Sequence, residues 1–140
     1  MTWLSSIHQA PPSVWDHDYP FLKKDFLSAL EENQCVNGHS GWQTHFLHLK
    51  EQNLLLPSFI KQHSYGEYVF DWGWAEAYQN NGLEYYPKMI VAAPFTPVTG
   101  PRILGKPTNI NGLQISERLQ QQCRDEELSG VHYLFCNQQE

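Results

Sequence analysis

The sequence has few cysteines and no long apolar run. Its 3 cysteines, Cys35, Cys123 and Cys136, are widely spaced and form no Cys-x-x-Cys pair, so neither a disulfide framework nor a zinc ribbon is indicated. We expect them to be reduced, semi-buried packing residues. The apolar runs, such as residues 54–57 and 89–94, are far shorter than the roughly 20 residues that cross a bilayer. The sequence therefore predicts no membrane span.

Positive charge is also scarce. The chain of 140 residues has 9 Lys and Arg against 15 Asp and Glu, which gives a formal net charge of −6. Such a chain has no long-range field to attract a nucleic-acid backbone, so nucleic acid is not an expected partner. Residues 1–10 lack the basic and then apolar stretches of a secretory signal. A cytoplasmic location is the default expectation.

Apolar periodicity predicts one α/β domain over residues 1–140, with a single core. Residues 1–17 are expected to be an extended lead-in, and residues 20–33 have the spacing of an amphipathic helix. Residues 42–50 alternate as a strand does, and residues 54–62 are its expected hairpin partner, with a proline that marks an edge or a bulge.

The second half of the chain predicts further helices and strands. In order, these are a helix over 72–80 capped by Gly82, a buried strand over 89–93, a proline-stiffened loop over 96–107, a helix with Ile115, Leu119 and Cys123 on one face, and a strand over 131–136. The chain stops soon after that strand. We therefore expect it to be a portion of a longer unit.

Histidine is the residue type that most invites a metal interpretation. However, His45 and His48 lie three positions apart in a predicted strand, so they point to opposite faces and cannot share one ion. The sequence predicts no metal site.

Residues 63–78 concentrate histidine, carboxylates, tyrosines and tryptophans. In a functional interpretation, Gly66 lets the backbone approach a ligand, Glu67 or Asp71 acts as a base or orients an amine, and the aromatic walls exclude water. In a structural interpretation, the segment is an aromatic minicore whose carboxylates cap helix ends or pair with Lys88 and Arg102. The residues leave both interpretations open.

Residues 95–102 follow directly on the predicted apolar strand, at the strand end where α/β proteins tend to bind ligands. Thr96, Thr99 and the backbone amides near Gly100 are candidates to bind a carbonyl oxygen or a phosphate, with Arg102 as a charged clamp. The alternative is that the prolines and the glycine merely shape a wide turn.

Three strings of the sequence are distinctive: His63-Ser-Tyr-Gly-Glu-Tyr-Val-Phe-Asp-Trp72, Tyr85-Tyr-Pro-Lys88 and Pro94-Phe-Thr-Pro-Val-Thr-Gly-Pro-Arg102. Through them the chain resembles the FemAB-like branch of the GNAT acyltransferases, a bacterial group associated with peptidoglycan biosynthesis. The resemblance also includes residues 26–31 and Ser40-Gly-Trp42, so that it covers nearly the whole chain.

The resemblance implies a GNAT-like α/β (α+β) fold, with a mixed, mostly antiparallel sheet that helices flank and that is incomplete at the C-terminus. Residues 1–140 would then be the first half of a two-half protein. The implied activity is transfer of an acyl or aminoacyl group to an amine of a small molecule or cell-wall precursor. The resemblance implies a thioester donor, for which acyl-coenzyme A is a candidate, or a tRNA donor, which the acidic balance disfavours. No covalently bound cofactor is expected.

One departure concerns the donor. The chain lacks the Gln/Arg-x-x-Gly-x-Gly/Ala loop that holds the pyrophosphate of coenzyme A at a helix start in ordinary acetyltransferases. We therefore expect the donor site to lie in the second half.

The sequence thus predicts a set of site residues on the strings that carry the resemblance. Glu67 and Asp71 are the predicted catalytic residues. The predicted substrate-binding residues are His63, Tyr65, Gly66, Tyr68, Trp72, Tyr86, Lys88, Thr96, Thr99, Gly100 and Arg102. The alternative function is a non-catalytic scaffolding half-domain that pairs with a second half or a partner protein, or that self-associates through its truncated face.

Overall fold

In the part of the chain that the computed structural model describes, residues 1–65, 70–106 and 111–138, two small β-sheets share a bent hairpin and three α-helices accompany them. The elements are, in chain order, β1 (Thr2–Leu4), α1 (Lys24–Glu32), β2 (Trp42–Thr44), β3 (Phe46–Leu49), β4 (Leu54–Leu56), β5 (Ser58–Lys61), α2 (Trp72–Asn80), β6 (Lys88–Val91), α3 (Gly112–Asp125) and β7 (Val131–Tyr133). This arrangement confirms the predicted mixed, mostly antiparallel α/β class.

The bent hairpin corrects the prediction of one long strand over residues 42–50. His45 separates β2 from β3, and Pro57 separates β4 from β5 on the opposite arm. Because proline has no N–H to donate, the β-ladder is interrupted there. One arm, β3 with β4, joins the sheet of order β1-β3-β4, and the other, β2 with β5, joins the sheet of order β2-β5-β6-β7. The predicted single sheet is therefore divided in two.

The N-terminal segment is also more ordered than the predicted extended lead-in. β1 pairs antiparallel with β3, so that Thr2 lies opposite His48. Two short 3-10 turns follow, and they place Ile7 and Val14 in the core with no exposed surface. Apolar anchors at these two positions explain why the proline-rich stretch folds against the domain.

The four-stranded sheet contains the geometry that matters for the site. β5 pairs antiparallel with β6, and β6 pairs parallel with β7 after the crossover through α3. α3 buries Ile115, Leu119 and Cys123 against the sheet, as the sequence predicts. The exposed Cys35 and Cys136 correct the expectation that all the cysteines are packing residues.

α2 forms over the residues predicted from the sequence, and Gly82 follows it with a positive φ of 69°. The structure describes this helix completely, and none of its side chains is buried. α2 is therefore an outlying helix on the surface of the domain. None of the described helices is long and apolar enough to cross a membrane.

Candidate functional site

Two buried lysines face each other at the end of the four-stranded sheet. Lys61 is the last residue of β5 and Lys88 the first residue of β6, and they are direct partners in the antiparallel register. Each is only 2% exposed. Like charges opposite each other destabilise a sheet, and burying an ammonium group is costly unless it is paired. The surroundings of the two lysines therefore have to compensate for their charge.

Asp71 provides part of that compensation. The Nζ of Lys88 donates to Oδ2 of Asp71 at 2.5 Å and to the hydroxyl of Tyr85 at 2.7 Å. It also lies 4.1 Å from the ring centroid of Tyr85 and 5.2 Å from that of Tyr86, within cation–π range. Asp71 is at the N-cap position of α2 but makes no capping hydrogen bond. The first turn of α2 thus directs its carboxylate towards the sheet.

The hydrogen bonds continue from Asp71 to a second tyrosine and a serine. The hydroxyl of Tyr86 donates to Oδ2 of Asp71 at 3.5 Å and lies 2.5 Å from the hydroxyl of Ser64. Ser64 is 3% exposed, whereas 29% of the Asp71 side chain is exposed. We call the connected residues Lys61, Ser64, Asp71, Tyr85, Tyr86 and Lys88 the lysine–tyrosine cluster. Within it, Asp71 is the acidic group that solvent reaches.

Lys61 connects this cluster to the aromatic residues around it. Its Nζ donates to the backbone carbonyl of His63 at 2.5 Å and lies 4.9 Å from the ring centroid of Trp42. The ring of Trp42 is in turn 5.1 Å from that of Phe95. Lys61 therefore holds the start of the segment that carries Ser64.

Burial sets the proton affinities in the cluster. It lowers the pKa of Lys61 to about 8, with the Lys88 charge acting in the same direction and Asp71 opposing it. It raises the pKa of Tyr85 to about 12, with Asp71 adding to the effect. His132, whose ring lies 5.8 Å from that of Tyr85, has its pKa lowered by burial and then by Lys88. Near neutral pH, Tyr85 stays protonated and Lys61 lies close to its charge transition.

Half-buried His63 and the exposed Tyr65, Phe70 and Trp72 border the cluster, and we call these four residues the aromatic rim. Ring centroids are 5.1 Å apart for His63 and Tyr65, 5.3 Å for Tyr65 and Trp72, and 5.9 Å for Trp72 and Phe70. Ser64 lies between the first two of these residues in sequence, and Asp71 lies between the last two. Both segments therefore alternate a polar residue of the cluster with aromatic residues of the rim.

The loop over residues 95–102 has a different role in the structure. Arg102 has no exposed surface, and its guanidinium donates to the carbonyls of Leu134, Pro101 and Val98 at 2.9 Å each. Gly100 is buried where a Cβ atom would come within 2.3 Å of the Tyr19 ring. These contacts favour the interpretation that the loop is a shaped turn, in which Arg102 binds backbone carbonyls.

The predicted threonines of that loop also lie away from the cluster contacts. Thr96 donates its hydroxyl to the carbonyl of Pro94 at 2.9 Å, and Thr99 is exposed. Among the described residues, no three His, Cys, Asp or Glu side chains form a group that could hold a metal ion.

The comparison with known families decides where the chain belongs. The model of the FemAB-like family, described as peptidoglycan biosynthesis/recognition, matches residues 6–140. The chain belongs to the FemAB-like family. The family predicted from the sequence is thereby confirmed, and it indicates a cell-wall precursor as the class of partner. No curated protein and no solved structure matches the chain significantly.

In this FemAB-like chain, the structure brings together six of the predicted site residues: His63, Tyr65, Asp71, Trp72, Tyr86 and Lys88. The predicted residues Gly66, Glu67 and Tyr68 lie outside the described residues.

Three members of the cluster are not among the site residues predicted from the sequence. Lys61 is a lone cation in an apolar run, and this pattern marks it in the sequence as a candidate site residue. Its position opposite Lys88, however, follows only from the strand register. Tyr85 and Ser64 both stand in strings that carry the resemblance, and their contacts with Lys88 and Tyr86 follow only from the fold.

Proposed function

We propose that this FemAB-like chain takes part in the transfer of an acyl or aminoacyl group to an amine of a cell-wall precursor, with the lysine–tyrosine cluster as the acceptor site. One observation carries the proposal. The Asp71 carboxylate is fixed by Lys88 at 2.5 Å on its inner side, while 29% of its side chain faces solvent. A carboxylate held in this way is placed to meet an amine that approaches from outside.

The chemistry of transfer requires such a group. The acceptor nitrogen forms a bond to the acyl carbonyl carbon, and the bond from that carbon to the donor's sulfur or oxygen breaks with its electron pair on the leaving atom. The attacking amine has to lose a proton, which Asp71 accepts as general base. Lys88 and Tyr86 fix the orientation of the carboxylate. Glu67 stays the second predicted base.

The aromatic rim forms the wall of this acceptor site. Tyr65 and Trp72 lie on either side of the segment that the structure does not describe, and their ring centroids are 5.3 Å apart. An acceptor seated against them would shed water near Asp71, and electrostatic interactions strengthen as water is excluded. The threonine loop is not needed for this arrangement.

A transfer assay on matched variants tests the proposal. The acceptor is a cell-wall precursor peptide with a free amine, the donors are acetyl-coenzyme A and an aminoacyl-tRNA, and the product is measured by mass spectrometry. Removing a general base should lower the rate about 10²–10⁴-fold, so Asp71→Asn should do so. Glu76→Gln, an exposed change on the same helix, is the control. If Asp71→Asn matches the control with an active donor, Asp71 is not the base.

The donor is a separate question, which calorimetric titration with coenzyme A and acetyl-coenzyme A addresses. Saturable binding would place a donor site within these 140 residues. No binding, together with transfer by a longer protein, would support the predicted donor site in a second half.

A second candidate function is the scaffolding half-domain, and one feature favours it. An open groove of about 800 Å³ lies between α3 and the edge strand β7, lined by apolar residues that include Ile103, Leu119, Leu128 and Val131. Apolar grooves of this kind are common at protein contacts. Sedimentation of the chain tests this candidate: concentration-dependent association that Leu128→Glu abolishes would support it, and a monomer at all concentrations would count against it.

A further inference from the structure

The exposure of the aromatic rim is not explained by proton transfer at Asp71. Tyr65 is 67% exposed, Phe70 54% and Trp72 48%. The rings of Tyr65 and Trp72 and those of Phe70 and Trp72 contact each other, and α2 buries none of its side chains. Contiguous exposed apolar surface of this kind marks a contact site for a ligand or a partner.

The rim and the cluster lie next to each other because they alternate along the same two short segments. In residues 63–65, Ser64 reaches Tyr86 while its two neighbours form rim contacts. In residues 70–72, Asp71 reaches Lys88 while its two neighbours stack 5.9 Å apart. A ligand that lies on the rings therefore has hydrogen-bonding groups beside it, within the same site.

We infer that the aromatic rim binds a sugar ring of the acceptor, with the C–H face of the pyranose stacked on Tyr65 and Trp72 and its polar substituents directed towards Asp71. The face of an aromatic ring is negative, and the C–H groups on one face of a pyranose are weakly positive, so the two surfaces attract. The inference rests on the proposed function for its ligand class, because peptidoglycan precursors carry N-acetylated sugars beside the peptide.

Charge argues against a membrane surface as the ligand of the rim. Interfacial helices carry Lys and Arg on their polar face. α2 has the sequence WGWAEAYQN, with Glu76 and no basic residue. The protein as a whole has a net charge of −6. Anionic lipids would therefore be repelled, whereas a neutral sugar would not.

Area argues against a second copy of the chain. Three rings that are about half exposed offer on the order of 300–400 Å². A stable protein interface needs about 800 Å² from each partner. The rim is of the right size for one or two sugar rings.

Binding of tri-N-acetylchitotriose, measured by tryptophan fluorescence and calorimetry without any donor, tests the inference. We expect saturable binding that Trp72→Ala and Tyr65→Ala each weaken about tenfold or more, because each removes one stacking surface. Trp74→Ala is the matched control. Trp74 is 67% exposed on the same helix, about 200° around from Trp72, and should leave the Kd within about twofold.

Three outcomes would overturn the inference. One is no saturation at about 10 mM trisaccharide, well above the about 1 mM of a weak specific complex. Another is binding that Trp72→Ala leaves unchanged. The third is that the chain does not bind the sugar and instead associates with anionic vesicles or with itself, and that Trp72→Ala abolishes this association. Transfer to a sugar-free peptide is measured separately, so failure of sugar binding and failure of the proposed function remain distinguishable.

Discussion

The ion pair between Lys88 and Asp71 is unequally buried, and this predicts an asymmetry between two variants. Only 3% of the Lys88 side chain is exposed, against 29% of the Asp71 side chain. Asp71→Asn leaves a buried ammonium without its carboxylate. Lys88→Met removes the buried charge, keeps most of the aliphatic volume and leaves a carboxylate that water can reach. Asp71→Asn should therefore destabilise the protein more than Lys88→Met does.

The magnitudes follow from the burial of each partner. Removing one partner of a fully buried pair costs about 3–5 kcal/mol, whereas replacing the whole pair by apolar groups is often neutral. Because Asp71 is partly exposed and Tyr85 still accepts from Lys88, we expect about 2 kcal/mol for Asp71→Asn. For Lys88→Met we expect about 1 kcal/mol or less. The double variant should resemble Lys88→Met alone, because the unpaired charge is gone.

Urea unfolding with linear extrapolation measures these free energies of unfolding. An unchanged slope of the free energy against urea concentration would show that the unfolding transition itself is preserved. A Lys88→Met variant that is destabilised as much as Asp71→Asn, or more, would refute this asymmetry. The asymmetry is also refuted if the double variant is as unstable as the sum of the single variants, since that would mean the two groups do not interact.

Three further predictions concern Gly100, Lys61 and Cys123. Gly100→Ala should destabilise the protein by about 1–3 kcal/mol in urea unfolding, because the added Cβ clashes with the Tyr19 ring. Gly73→Ala, where no atom lies near the added Cβ, should stabilise α2 by about 0.5–1 kcal/mol in the same assay. Lys61 has its pKa lowered to about 8, so the unfolded chain binds more protons between pH 8 and 10.5, and stability should rise across that window. The Tm of the original protein relative to that of Lys61→Met should therefore increase with pH across this window. A Tm difference that does not change with pH would contradict the burial of Lys61. Burial raises the pKa of Cys123 to about 11, so Cys123 should not react with a thiol reagent at pH 8 that labels the two exposed cysteines. Rapid labelling of three thiols in the folded protein would contradict this prediction.

Local patterns were sufficient to predict α2 and α3, whereas the helix predicted over residues 20–33 is a 3-10 turn at Pro20–Leu22 followed by α1 from Lys24. The stripe of Ile115, Leu119 and Cys123 predicted α3 and its buried face, and Gly82 predicted the end of α2. These features depend on residues within one or two turns of each other, so the sequence alone records them.

The strand register and the loop contacts could not be predicted in this way. Lys61 and Lys88 meet because β5 and β6 pair, and nothing local to either residue encodes that register. Arg102 illustrates a contact of this second kind. In the sequence, an arginine after a Pro-Gly loop is typical of a ligand clamp, but its donors are used by backbone carbonyls, which only the folded loop brings within reach.

The most direct test of the account is to locate the bound acceptor by the indole signals of the 5 tryptophans. A ¹⁵N-labelled chain is titrated with a cell-wall precursor that carries both sugar and peptide amine. We expect the indole signal of Trp72, in the aromatic rim, to shift. The signal of Trp3, whose ring lies 5.6 Å from the guanidinium of Arg118 on α3, should not shift. A shift of Trp3 with Trp72 unchanged would place the precursor beside β1 and α3 and contradict the lysine–tyrosine cluster as the acceptor site.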